Sequence, residues 1–466
     1  MAEKFDAIVI GTGQAGPSLA AKLARSGKKT AIIERHLFGG TCVNVGCIPS
    51  KSLIASARAA HVIRRAADFG ISLEGEGGIQ VDMKKVKARK DAIVAQSNQG
   101  VEKWLRSTAN LTVIQGHARF TGANAIEIDH EKKLEAQQMF INVGGRPTIP
   151  KIPGLESVAY LTSSSIMKLD VLPQHLIIIG GSYIGLEFAQ MYRRFGSQVT
   201  VIEAGPRIIS REDEATSTAV ADLLTGEGIQ ILTNAKNIVV SNSAISTKDN
   251  SIQVEASSFA HAIQGSHLLV AVGRIPNTDD LGLETLGMKV DERGYILVNE
   301  DLSTSVAGIW ALGDVNGRGA FTHTAYNDYE IVAANLFEQA SRKVSDRIQA
   351  YALYTDPPLA RIGMSETEAR KSGKKLLISR MPMSRIGRAK ERGETIGFMS
   401  AIVDQETKLI LGATLFGIEA DEVIHSILNV MSAKLPYTLI QKTMAIHPTV
   451  SELVPTLFEA LKPATP

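Results

Sequence analysis

Cysteine is nearly absent from this chain: Cys42 and Cys47 are the only two in 466 residues. That excludes a disulfide-stapled scaffold. Long apolar runs are missing too. A membrane helix needs about 18 consecutive apolar residues, whereas the longest runs here, such as the one through Ile177–Ile179, are strand-sized, so no membrane partner is expected. Nor is there an excess of one sign of charge. A formal net charge of +2 gives no reason to expect nucleic acid or an anionic membrane surface as a partner. The N-terminal segment carries Glu3 and Asp6 where a secretory leader needs an apolar core, so no signal peptide is expected and the chain reads as cytoplasmic. In that compartment a close cysteine pair is more often catalytic or metal-binding than structural. Length suggests about three domains.

What the chain does have is glycine in register. Residues 5–16 read FDAIVIGTGQAG, a short apolar strand followed by Gly11, Gly13 and Gly16 in G-x-G-x-x-G spacing. A helical stretch follows, then a second strand ending at Glu34. The first glycine makes the tight turn, the second lets backbone approach a pyrophosphate, and the third lets helix and strand pack closely. The terminal acid accepts from the adenosine ribose hydroxyls. The pattern recurs as LIIIGGSYIG over residues 176–185, and the next strand ends at Glu203. Gly180, Gly185 and Glu203 repeat Gly11, Gly16 and Glu34 at one constant offset. The copy is imperfect, because Ser182 stands in the middle glycine position, which the turn tolerates if φ there is negative. Two dinucleotide sites imply two dinucleotides, and hydride transfer between a nicotinamide and a flavin is the expected use. A third segment, TSVAGIWALGD, runs an apolar strand into Gly313 and Asp314, and open α/β sheets bind ligands at such strand ends.

The two cysteines stand five positions apart in GGTCVNVGCIPSK, residues 39–51. A structural zinc needs about four ligands, and His36 leaves the set short, so no metal site is expected. Two buried thiols acting as small hydrophobes are the plain alternative. A redox disulfide is the third reading. A regular helix holds residues five apart beyond disulfide reach, so closure needs a distorted turn, which Asn44 and Gly46 can supply. Beside two dinucleotide motifs, the redox reading is the expected one.

The pattern G-G-T-C-x-N-x-G-C-x-P-S-K closely resembles the active-site signature of the class I flavin disulfide reductases. These include dihydrolipoyl dehydrogenase, glutathione reductase and mercuric reductase, and the resemblance covers the whole chain. It implies bound FAD, NAD or NADP as electron donor, and a homodimer whose active site is shared between subunits. It also implies that Cys42 is the interchange thiol that attacks substrate and that Cys47 makes a charge-transfer contact with the flavin. Lys51 would pair with Glu187 of IGLEFA beside the flavin nitrogen that receives hydride. Gly40, Thr41 and Lys51 would join Gly11, Gly13, Gly16 and Glu34 around FAD, with Asp314, after Gly313, on the ribityl chain. The paired VGGRP (143–147) and VGRIPN (272–277), the latter carrying Gly273 and Arg274, resemble the family's strand-end junctions. HPTVSE resembles the family's H-P-T-x-x-E, which places His447, oriented by Glu452, over the interchange thiol of the partner subunit.

Departures narrow the branch. Dedicated mercuric reductases carry an extra C-terminal cysteine pair, and this chain ends LVPTLFEALKPATP without one. SREDE and GRGAFTH nevertheless resemble that branch and the related oxidant- and copper-responsive flavoproteins. Glu203 repels a 2′-phosphate, although Arg207 and Arg211 lie close enough to soften this, and P-S-K replaces the P-K-K of glutathione reductase. FTHTAYND departs from the A-H-K-A of dihydrolipoyl dehydrogenase, which otherwise shares the signature. The expected function is an FAD-dependent NAD(P)H:disulfide oxidoreductase. It passes hydride through FAD to Cys42–Cys47 and on to a disulfide, metal-ion or small oxidant acceptor. Dihydrolipoyl dehydrogenase and a non-catalytic flavin redox sensor are the alternatives. The expected architecture is α/β, two doubly wound dinucleotide-binding domains plus a C-terminal α/β dimerisation domain. Residues 1–155 and 281–345 are expected to bind FAD, 156–280 to bind NAD(P), and 346–466 to dimerise. In the last region LARIGM, ETIGFMSAIVD and LILGATLFG read as strands, and DEVIHSILNVMSA as an amphipathic helix.

Overall fold

A computed structural model describes residues 2–72, 79–242 and 251–464. Its first sheet is built on the strand Glu3–Ile10, whose last four residues are fully or almost fully buried. Such near-continuous burial is what a parallel strand covered on both faces requires. The parallel core runs in the order Leu111–Gln115, Thr30–Glu34, Glu3–Ile10, Lys132–Ile141, Ile309–Ala311. Lys132–Ile141 serves two neighbours. Its first half pairs antiparallel with Ala125–Ile128, and its last three residues pair with Ile309–Ala311. The crossover helix Gly16–Arg25 buries Leu19 and Leu23 against this sheet, each worth about 1.5–3 kcal/mol relative to exposure.

The second sheet repeats the plan. Its order is Gln230–Leu232, Gln198–Ile202, His175–Ile179, His267–Val270, Tyr160–Thr162, all parallel. A three-stranded antiparallel sheet, Val239–Asn242, Ile252–Glu255 and Ile263–Gly265, is appended to it. The chain leaves and re-enters the first sheet through a two-stranded ribbon, Gly145–Pro147 with Arg274–Pro276.

The third sheet is antiparallel and six-stranded, from Ala350–Leu353 through Leu359–Gly363, Ile410–Phe416, Phe398–Asp404 and Leu376–Pro382 to Lys462–Pro463. The strands read in this region are present, although the ETIG part of one lies before the strand, which begins at Phe398 after Gly397 turns with φ +110°. The amphipathic helix is Ala420–Ser432, packing Val423, Ile424 and Ile427 into the same core as Met399 and Leu415. The architecture is thus α/β with two doubly wound sheets and a C-terminal α/β unit. Among the described residues no helix is long and apolar enough to cross a membrane.

The packing that positions the site is between two helices. Cys47–Arg64 lies against Tyr183–Phe195, with Leu53 and Ala57 of one sharing a core with Leu186 and Met191 of the other. One helix carries the cysteine motif at its start and the other begins at the second glycine turn.

Candidate active site

A cavity of about 700 Å³ is lined by both the first glycine turn and the two cysteines. At the turn, Gly11 has φ +100°, and a Cβ there would lie 2.3 Å from the carbonyl oxygen of Asn142. Glu34 ends its strand buried. Its Oε2 accepts from the Thr12 amide (3.0 Å) and hydroxyl (2.6 Å), and its Oε1 from the His36 amide at 2.9 Å. The same Thr12 hydroxyl accepts from the Gly39 amide at 3.1 Å, so the acid, the turn and the cysteine segment are one hydrogen-bonded unit. Gly40 meets Gly13 so closely that a Cβ on Gly40 would lie 2.8 Å from the Gly13 Cα.

The helix Gly40–Asn44 stops after Cys42, and a new one starts at Cys47. Val45 and Gly46 make the break in the backbone, with Gly46 at φ −120°, ψ −116°. Asn44 contributes through its side chain instead, donating to the carbonyls of Phe38 and Gly40 at 2.9 Å each. The break sets the two thiols side by side, so that each shifts the other's protonation. Cys47 is held below the ordinary thiol range, at about 6, by the bond from Cys42, then the Thr322 hydroxyl and the Lys51 ammonium, with burial and Glu187 opposing. Cys42 is pushed up by its bond to Cys47, by burial and by that sulfur's charge. Such a pair holds one proton and one negative charge, the state a dithiol needs for exchange.

One helical turn after Cys47, Lys51 Nζ lies 2.8 Å from Glu187 Oε2. The pair is seated by Tyr354, whose amide donates to Glu187 Oε1 at 3.0 Å and whose ring centroid is 4.4 Å from Lys51 Nζ. On another wall, the strand Ile309–Ala311 runs into Gly313, with φ +76°, and Asp314. Buried Asp328 holds this turn, accepting from the Gly313 amide (2.8 Å) and Asn316 Nδ2 (2.9 Å). Burial raises the Asp314 carboxyl above its usual range, with Arg274 Nε opposing from 3.7 Å. Arg274 also donates to the Gly145 carbonyl and reaches Thr41 Oγ1 at 3.4 Å, tying the two junction strands to the cysteine segment.

The second turn leads into the helix that carries Glu187. Gly180 has φ +117°, and Ser182 is extended at φ −101°, ψ −178°, which satisfies the condition for a non-glycine there. Glu203 accepts from the amides of Gly181 (2.8 Å) and Gly205 (2.6 Å). Gly273 has φ +139°, with nothing nearer than 3.9 Å to a Cβ built on it. Arg207 turns its Nη2 to the carbonyls of Ser210 and Glu212, while Arg211 lines a neighbouring cavity with Arg274, Arg293 and Arg318. Tyr183 begins the helix and reaches into the main cavity. Its hydroxyl donates to buried Glu212 at 2.6 Å, a carboxylate that also takes Tyr351 at 2.8 Å and Arg361 at 2.8 Å.

His447 Nδ1 and Glu452 Oε2 are 2.7 Å apart. This histidine is not on the wall of its own chain's cavity. Its side chain is 79% exposed, and Met444 and Ile446 before it are 94% and 77% exposed. Within one chain the pair is assembled but stands apart from the thiols.

Several side chains at the site were not singled out by the sequence as site residues: Asn142, Tyr183, Thr322, Asp328 and Tyr354. Among the described residues no group of three or more His, Cys, Asp or Glu is placed to hold a metal ion.

These walls fit FAD. The cavity joins a helix-capped glycine turn to a thiol pair, and Asp314 presents a half-buried carboxylate in between that a polyol would satisfy. Comparison with known proteins agrees. Residues 5–328 match the pyridine nucleotide-disulphide oxidoreductase family, and residues 349–458 match its dimerisation domain, which supports homodimer formation. The chain is 34% identical to the probable pyridine nucleotide-disulfide oxidoreductase RclA of Escherichia coli (strain K12), over 98% of this chain and 100% of that one. The structure of that protein, described as an HOCl-induced flavoprotein disulfide reductase, superposes with a TM-score of 0.88 over 97% of this chain and 99% of that one, and it has also been solved as a Cu(II) complex. Identity is 33% to the dihydrolipoyl dehydrogenase of Chlamydia muridarum, covering 97% of this chain and 96% of the other. It is 32% to the mercuric reductase of Staphylococcus aureus, covering 91% and 76%. The chain belongs to the pyridine nucleotide-disulphide oxidoreductase family, whose members are oxidoreductases that use FAD and NAD(P)H.

Proposed function

We propose that this protein passes reducing equivalents from NAD(P)H to a Cys42–Cys47 disulfide and on to a small acceptor, in the branch represented by RclA. The observation that carries this is the meeting of the thiol pair with the Lys51–Glu187 ion pair at the end of the glycine-turn cavity. Residues 1–155 and 281–345 then make the flavin-binding part, 156–280 the nicotinamide part and 346–466 the dimerisation part. FAD, when bound, supplies the two-electron relay between nicotinamide and disulfide.

The protein's own groups do the rest. Gly11, Gly13, Gly16, Glu34, Gly40 and Thr41 would hold the dinucleotide's phosphate and ribose end, and Gly313 and Asp314 its polyol. Gly180, Gly185, Glu203 and Gly273 would receive the nicotinamide nucleotide, while Arg274 stands against Asp314 on the wall of the main cavity. Lys51, fixed by Glu187, would supply a positive charge to the flavin ring bound at that end of the cavity. Two electrons and one proton open the disulfide, leaving Cys42 as thiol and Cys47 as thiolate. Cys42 then loses its proton and attacks the acceptor. The partner subunit's His447, oriented by the partner subunit's Glu452, takes that proton and returns it to the leaving group. The exposure of His447 beside an apolar, exposed segment supports this arrangement in trans.

The full-length match to RclA and the SREDE stretch favour an oxidant or metal-ion acceptor over dihydrolipoamide. The test is turnover with NADH and NADPH against hypochlorous and hypothiocyanous acid, cupric and mercuric ions, glutathione disulfide and lipoamide. Cys42→Ser is the control. Fastest turnover with lipoamide would place the chain with the dihydrolipoyl dehydrogenases. No turnover above that of Cys42→Ser with any acceptor would leave a redox sensor.

A further inference from the structure

Among the described residues, Thr322 is the one group hydrogen-bonded to a redox sulfur that the scheme above leaves without a task. Its Oγ1 lies 3.2 Å from Cys47 Sγ. Thr322 opens the 16-residue helix Thr322–Phe337, and Cys47 opens the 18-residue helix Cys47–Arg64. Two helix N-termini, each with free amides and a partial positive charge, therefore meet at one sulfur.

The threonine does not sit there loosely, because both of its neighbours are clamped to the strand Ala350–Leu353. The Phe321 ring stacks on Tyr351 with centroids 5.5 Å apart and planes 9° apart, and on His323 at 5.4 Å and 13°. His323 Nε2 is 2.6 Å from the Ala350 carbonyl. The Phe321 amide and carbonyl both bond the Thr324 hydroxyl, at 3.1 and 2.7 Å. A hydroxyl held from both sides is a preorganised donor, one that costs no reordering when charge develops beside it.

The need for such a donor arises in the middle of the cycle. In the free dithiol, Cys42 donates to Cys47. Once Cys42 is bonded to the acceptor it has no proton to donate. Cys47 must nevertheless stay ionised, since its lone pair attacks Cys42 Sγ, re-forms the disulfide and expels the reduced acceptor. Within its own chain the titratable and charged groups facing Cys47 are Cys42, Lys51, Glu187 and Tyr354, and the partner subunit's His447 gives up its proton to the leaving group. With Cys42 occupied, Lys51 is the one cation among them, and Glu187 partly cancels it.

Resting on the redox assignment of Cys42 and Cys47, we propose that Thr322 is a catalytic residue whose hydroxyl donates to Cys47 and keeps that sulfur ionised while Cys42 is bonded to the acceptor. The test is a pH titration of the long-wavelength thiolate–flavin absorbance in the two-electron-reduced holoenzyme after alkylation of Cys42, which leaves that sulfur with no proton to donate, for wild type, Thr322→Ser and Thr322→Val. The thiolate is present above its midpoint and lost as pH falls through it. Thr322→Val should raise the midpoint by about one pH unit, a roughly tenfold drop in thiolate fraction below it. Thr322→Ser should stay within a few tenths of wild type. Flavin content reports folding, and Thr322→Ala carries the same comparison if the valine is not accommodated. A midpoint unmoved in Thr322→Val or Thr322→Ala, or moved equally in Thr322→Ser, overturns the role of the hydroxyl while leaving the redox pair intact. A wild-type protein with no such absorbance overturns the redox assignment, and this inference with it.

Discussion

The two glycine turns share one backbone and differ in what is packed behind it. Gly11 and Gly180 have φ of +100° and +117°, and a Cβ on either would meet a strand-end carbonyl, of Asn142 at 2.3 Å or of Ala271 at 2.4 Å. Gly16 and Gly185 press on the first glycine's own carbonyl, at 2.3 and 2.0 Å from a Cβ built on each. The outer glycines are required twice by the same geometry. The middle position is not. A Cβ on Gly13 would sit 3.0 Å from Asn142 Oδ1. Asn142 is pinned, accepting from the Gly16 amide and donating to the Leu312 carbonyl, each at 2.9 Å. Ala271 occupies the corresponding place in the second turn and has no such arm, so Ser182 fits. A middle glycine is demanded here by the asparagine behind it.

The front of each turn differs as well. The first is covered by Gly40 and by the Thr12–Gly39 hydrogen bond. The second is met instead by the segment that follows its own acid, the Ile209 amide donating to the Gly181 carbonyl at 2.8 Å.

The largest effect expected from this contrast is Gly11→Ala against Gly180→Ala. Each places a methyl on a backbone oxygen at positive φ, worth about 3 kcal/mol or more. Gly11→Ala should emerge colourless or misfolded. Gly180→Ala should remain yellow but be reduced by NADH far more slowly. Flavin absorbance and stopped-flow reduction read the two outcomes, and equal flavin loss in both would erase the distinction.

Next in size is Gly13→Ser, which makes the first turn imitate the second. Overpacking against a pinned side chain costs about 1–3 kcal/mol, so FAD affinity should fall by tenfold or more. Adding Asn142→Ala should recover part of that loss. A double variant no better than the sum of its parts would show that the serine collides with the dinucleotide itself.

Glu203 sets a third, smaller contrast. A carboxylate beside a 2′-phosphate costs on the order of 1–3 kcal/mol, roughly tenfold or more in affinity. Wild type should therefore prefer NADH, and Glu203→Gln should narrow the gap without abolishing binding, since the amide oxygen can still accept from Gly181 or Gly205. Equal kcat/KM for both nucleotides in the wild type would mean that Arg207 and Arg211 outweigh the acid.

How far the sequence disclosed this site depends on how local each requirement is. A glycine turn and its acid lie within one βαβ unit, so spacing reveals them, and the break between Cys42 and Cys47 is written in five residues. Asn142 is 126 residues from Gly16, Tyr354 is 167 from Glu187, and Thr322 is 275 from Cys47. A polar residue at the end of a strand or start of a helix looks the same whether or not such a partner exists, and only the folded packing tells them apart. The FTHTAYND stretch stood out only as a departure from a pattern. In the structure Thr322 touches a sulfur and Asp328 holds the Gly313 turn, so the departure lies at the redox centre. His447 with Glu452 is local, five residues apart. Its distance from the thiols of its own chain is a property of the fold that no spacing reveals.

The smallest expected effect is also the most exposing for the comparison. Ser182→Gly restores the full glycine pattern to the second turn. The serine makes no side-chain cap to the helix it precedes and already holds an extended φ, so the change removes no hydrogen bond and relieves no strain. Glycine adds freedom to the unfolded chain, worth about 0.5–1 kcal/mol of stability. A slightly lower thermal midpoint is therefore expected, with KM for NADH within about twofold of wild type, since 0.4 kcal/mol is a factor of two. If instead the variant bound NADH tenfold more tightly, the serine would be an obstacle to the pyrophosphate. The middle glycine would then be demanded by the dinucleotide in both turns, and Asn142 would no longer explain the difference between them.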